Sequence, residues 1–173
     1  MDFMKAVFNR EPQGNELHAG DVLSLWDVAR NKLIGLSTLS VYYRQAKDPD
    51  MKDLLKNGLD FIVDRHIDKI QKLLDKKGYN FPKGENWRRD LNEDAPFVIP
   101  NTLLDDQTIA MSLREIIRLT LSLESEGLRN STDTDVRDLL SSIMDEDNTA
   151  YSGILALQRK KNWTDFPPTI FSH

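Results

Sequence analysis

The residues of this 173-residue sequence best placed to do chemistry are His66, Glu124 and Asp147, each phased onto the apolar stripe of a helical segment. At 3.6 residues per turn, Glu124 falls about 20° from the line through Leu113, and Asp147 about 20° from that through Leu140. His66 lies within its own stripe, and Ser40 within the stripe of the preceding segment. Ionisable groups in such places pair, neutralise or border a mouth, because burial without a partner is costly. Acids and imidazoles gathered inside a helical bundle are also the material of a carboxylate-bridged dimetal centre.

Other chemistries drop out quickly. The chain has no cysteine, which removes disulfides, thiolate zinc sites and cysteine nucleophiles. Its three histidines, His18, His66 and His173, are too far apart in sequence to form a local zinc motif. There is no phosphate loop, no dinucleotide-binding glycine pattern and no nucleophile elbow. A net charge of −5 and a pI near 5.2 argue against a nucleic-acid partner. No window reaches the roughly 18–20 apolar residues of a membrane span, and residues 1–10 are too broken for a secretory core. Cytoplasmic residence is the default expectation, with no membrane partner.

These residues need helices to position them. Hydrophobic residues make up 39% and charged residues 29%, a globular balance that one domain over 1–173 accommodates. Four segments repeat apolar residues at three- and four-residue steps, over 21–46, 50–77, 106–130 and 134–161. Val22, Leu25, Ala29 and Leu33 open the first stripe, and Leu55, Leu59 and Ile62 run along the second. Asp50, Asp105 and Asp133 stand where N-caps belong, and lysines crowd the ends of the second and fourth segments. No segment alternates with period two, so the expected class is all-α.

The two halves match. Asp48-Pro49-Asp50-Met51-Lys52-Asp53-Leu54-Leu55 returns 85 positions later as Asp133-Thr134-Asp135-Val136-Arg137-Asp138-Leu139-Leu140. Lys76-Lys77-Gly78-Tyr79 is answered by Lys160-Lys161-Asn162-Trp163. A duplicated helical hairpin is the expected origin. The link over 78–105 is long enough to return the length of a helix, about 40 Å, since extended chain covers about 3.3 Å per residue. Two antiparallel hairpins joined by one long crossover make a ferritin-like four-helix bundle.

That plan permits a test of the dimetal centre. It requires a glutamate on each of two helices and Glu-x-x-His on the other two. The first segment carries no acid between Asp27 and Asp48, and Val63 stands three residues before His66. The position matching His66 in the other hairpin is Tyr151, preceded at three residues by Asn148. Asp60, Asp64, Asp68, Asp145 and Asp147 do not rebuild the set. No metal and no cofactor are expected, and the sequence leans away from an enzyme. In the crossover arrangement His66 and Glu124 come within about 3 Å in depth, against about 13 Å without it. A carboxylate so close favours the charged imidazole, and Glu124→Gln is then expected to weaken the fold more than Glu85→Gln. The cluster of His66, Glu124 and Asp147 reads as a structural polar layer or as a remodelled metal position.

Glu16-Leu17, Leu25-Trp26, Asp48-Pro49-Asp50 with Leu54-Leu55, the 133–140 pattern and Lys160-Lys161-Asn162-Trp163 with Phe166-Pro167-Pro168 carry a resemblance. The chain resembles a ferritin-like family of spore-forming Firmicutes, assigned to the spore coat by likeness to coat protein F. The resemblance implies a non-catalytic structural or assembly protein of the coat, with protein partners: other coat proteins or copies of itself. A small-molecule-binding or adaptor module is the alternative, and a metal-dependent oxidoreductase comes third. Trp87, Trp163 and Phe166 either pin loops to the bundle or, if exposed, anchor a partner.

Overall fold

The computed structural model of the chain describes residues 16–82, 91 and 104–163. Three aspartates begin helices in the same way. Asp48, Asp105 and Asp133 accept the backbone N–H of Met51, Thr108 and Val136, each satisfying a donor that the first turn leaves without a partner. The expected cap at Asp50 is thus corrected to Asp48. Pro49 takes the first helical position, where its missing N–H costs nothing and its fixed φ suits the helix.

The elements are α1 (Ala19–Gln45), α2 (Pro49–Gly58), a π-helical segment (Leu59–Val63), α3 (Asp64–Lys77), α4 (Asp106–Asn130) and α5 (Thr134–Lys161). Within the second bundle helix, α2, the π segment and α3 are continuous, the Asp64 N–H reaching back five residues to the Leu59 carbonyl. Two of the helices end alike. Gly78 at φ 81° and Asn162 at φ 58° adopt the left-handed conformation, and the next N–H groups, of Tyr79 and Trp163, bond to Leu74 and Gln158. This is the six-to-one closure that satisfies terminal carbonyls.

The helix ends fix the directions. Lys77 at the end of α3 pairs with Asp133 at the start of α5, 2.8 Å away. Lys161 at the end of α5 pairs with Asp48 and Asp50 at the start of α2. α5 therefore runs antiparallel to α2 and α3. The Asp106 carboxylate accepts the backbone N–H groups of Lys47 and Asp48, which puts the starts of α2 and α4 together. At the other end, Asp21 accepts N–H groups from Thr132 and Asp133, holding the start of α1 against the α4–α5 turn. α4 thus runs parallel to α2 and α3. Among the described residues the structure is a four-helix bundle without strands, and no helix is long and apolar enough to cross a membrane.

The interior divides into three. One apolar cluster gathers Leu39, Met51, Leu55, Leu59, Ile109 and Leu113 with Ile154 and Leu157. The other gathers Leu25, Val28, Ile70, Leu74, Leu140 and Ile143. Between them lie buried Lys32, His66, Glu124 and Asp147.

Candidate functional site

Each of the four bundle helices gives one side chain to the polar layer: Lys32 from α1, His66 from α3, Glu124 from α4 and Asp147 from α5. Lys32 is the hub. Its ammonium lies 3.1 Å from Glu124 Oε1 and makes a short hydrogen bond to Asp147 Oδ2. The imidazole of His66 stands behind Asp147, with Nδ1 3.7 Å from Oδ1, and its Nε2 lies 3.2 Å from Glu146 Oε2. Glu146 also accepts from Lys69, at 2.6 Å, where the layer reaches the surface. A chain of groups therefore runs from the centre of the bundle to solvent.

Burial decides the protonation of two members. Desolvation pushes the Glu124 carboxyl up to about 9; Lys32 opposes that, and Asp147 adds to it. Among the described residues neither Glu124 oxygen has a hydrogen-bond partner, so a neutral acid is the cheaper occupant. Desolvation, helped by the Lys32 charge, brings His66 down to about 4 against the pull of Asp147 and Glu146. Nearby carboxylates do favour the charged imidazole, as expected, but burial and the Lys32 charge outweigh them, and the imidazole is neutral at physiological pH. With Nε2 donating to Glu146, Nδ1 is the bare nitrogen, and among the described residues no hydrogen bond reaches it. Glu146 is half-buried, which by itself raises its pKa. Hydrogen bonds from Lys69 and His66 outweigh that and hold it below the ordinary value.

The structure brings His66, Glu124 and Asp147 into one layer: Lys32 joins Glu124 to Asp147, and His66 stands directly against Asp147. Lys32 and Glu146 are what the sequence reading omits. Lys32 stands seven residues after Leu25, at the centre of the α1 stripe, so the phasing that marks the acids marks it too. Ser40 turns back on its own helix, donating to the Leu36 carbonyl. Among the described residues no three His, Asp or Glu side chains are arranged to share a metal ion. Trp163 is half-buried against the first apolar cluster, as a loop pin would be. Trp87 and Phe166 lie outside the described residues.

The layer is internally neutralised. Asp147 balances Lys32, Lys69 balances Glu146, and Glu124 and His66 are uncharged. It can hold four helices in register, and it offers no activated nucleophile.

The profile of the family described as "Protein of unknown function (DUF3231)" matches residues 5–173. A solved chain from Bacillus halodurans, described as "a putative spore coat protein", is 21% identical, with a TM-score of 0.79 over 91% of this chain and 97% of that one. A conserved hypothetical protein from Mycobacterium tuberculosis is 12% identical, with a TM-score of 0.65 over 90% of this chain and 98% of that one. At such identities the likeness is one of fold. No protein of curated function matches the chain.

Proposed function

We propose that this chain, which belongs to the DUF3231 family, is a non-catalytic structural or assembly protein whose setting is a spore coat. Lys32 carries the reading. At mid-bundle, where helices of this connectivity could gather metal ions, the chain places its own ammonium against buried acids. A closed ionic layer of this kind specifies helix pairing and register. The coat setting is drawn from the description of the Bacillus halodurans neighbour. The matching helix ends support a ferritin-like plan built from two copies of one hairpin.

The partners are then further copies of the chain or other coat proteins. Leu23 and Ile34 on α1 and Leu119 on α4 are exposed. Leu23 and Leu123 border one cleft along the α1–α4 seam, and Leu119 is one helical turn from Leu123. Apolar side chains along a seam are where a second copy packs. Light scattering across a concentration series should show association, reduced in Leu23→Glu with Leu119→Glu. A strict monomer at high concentration would remove the assembly role, and absence from coat extracts of the host's spores would remove the setting.

A further inference from the structure

All four helices contribute to a cavity of about 490 Å³ that runs from the start of α2 towards the polar layer. Leu39, Leu55, Ile62, Leu113 and Ile117 form its walls, Phe61 stands exposed at its rim, and Lys32 and Asp147 close its buried end. A volume of this size, apolar with a few convergent polar groups, is the usual form of a small-molecule site.

Three features keep it open. Gly35 and Gly153 line it from the interiors of α1 and α5, and Gly58 from the junction of α2 with the π segment. Glycine weakens a helix interior, and its usual excuse is a close approach of backbones. None exists here: a Cβ on Gly35 or Gly153 would meet nothing within 4 Å, and one on Gly58 only a Leu39 methyl at 3.7 Å. The π segment is the second feature. Its widened turn places Phe61, Ile62 and Val63 on the cavity, and single π turns concentrate at functional sites. The third is Lys32, whose ammonium has three N–H groups and, among the described residues, a hydrogen bond to Asp147 and a close contact with Glu124, so that a donor is left over.

We propose that this cavity binds a small uncharged amphiphile, an aliphatic chain whose single hydroxyl or carbonyl oxygen accepts a hydrogen bond from Lys32. The charge balance selects the head group. A carboxylate would lie against Asp147 and an ammonium against Lys32, whereas a neutral oxygen takes the spare donor without disturbing the pair. This goes beyond the structural role and stands whether or not the chain assembles.

Isothermal titration of the full chain with 1-decanol, decanoate and decylamine tests the site. Decanol should bind, and the two charged homologues at least about tenfold more weakly. Gly35→Leu with Gly153→Leu fills the cavity from positions with free space, so the helical circular dichroism should persist while decanol binding is lost. No binding of decanol to the native chain, equal or tighter binding of either charged homologue, or undiminished binding by a folded double variant would each overturn the assignment.

Discussion

Lys32 Nζ stands 3.1 Å from Glu124 Oε1 across the α1–α4 interface, with both side chains withdrawn from solvent. The ammonium nevertheless answers chiefly to Asp147, because Glu124 is held as the neutral acid. Replacing Lys32 therefore strands Asp147 rather than Glu124. Lys32→Met should destabilise the fold by about 3–5 kcal/mol, the usual loss on breaking a buried pair. Lys32→Met with Asp147→Leu should recover most of that loss. Chemical denaturation of the two variants checks it; a double variant no better than the single would place the loss in packing instead.

The two shifted groups give stability a defined pH dependence. Glu124, raised from 4.5 to about 9, keeps a proton when folded that the unfolded chain has released. Its contribution is complete below 4.5 and declines as pH rises towards 9. His66, lowered from 6.5 to about 4, works the other way: the unfolded chain takes up the proton first, so stability is lost as pH falls from 6.5 to 4. The two slopes oppose each other between 4.5 and 6.5, leaving a net decline from 6.5 to 9. Melting temperatures across that range should fall, and Glu124→Gln should flatten the alkaline decline.

The same substitution reverses a sequence-based expectation. Glutamine resembles the protonated acid, so Glu124→Gln should match the native chain below pH 4.5 and be at least as stable as it at neutral pH, where the native fold must still hold a proton that the unfolded chain releases. A large loss at pH 7 would mean that the carboxylate, not the acid, occupies the layer.

Asp48 and Asp133 are equivalent in geometry and should be equivalent in energy. Each caps a helix and pairs with a lysine from the far end of a neighbouring one. Removing either cap with alanine should cost about 1 kcal/mol, within a range of roughly 0.5–2. Asp50 is no cap, and Asp50→Ala should move the denaturation midpoint less. A larger effect at Asp50 than at Asp48 would return the cap to the position first read from the sequence.

Elemental analysis of the purified chain should find no stoichiometric iron or manganese. Lys32 occupies the centre of the acids with a fixed positive charge, and a divalent cation there would meet repulsion at close range. Two metal ions per chain, lost on changing His66, would overturn this.

Helix ends are legible in the sequence because capping is local chemistry, as Asp105 and Asp133 show. Asp48 is misread by two residues because Pro49, which looks like a turn, is the first helical residue. The inward phase of His66, Glu124 and Asp147 is legible from spacing alone. Lys32 has the same phase but is easily passed over among apolar neighbours, where a long cation reads as a solvated side chain. The charge on His66 is not local, since it depends on burial by all four helices and on Lys32. The π turn at 59–63 has no motif of its own beyond the glycine at 58.

The clamps at the two ends of the bundle have a consequence for exchange between molecules. Lys77 and Asp133 belong to different hairpins, as do Lys161 and Asp48, and Lys32 likewise bridges from the first hairpin to acids of the second. None of these pairs depends on both hairpins coming from one chain. Two molecules that traded their second hairpins would re-form every clamp and the whole ionic layer, each in its original geometry. Hairpin trading would thus double the particle without requiring a new surface, with the 78–105 link setting its span.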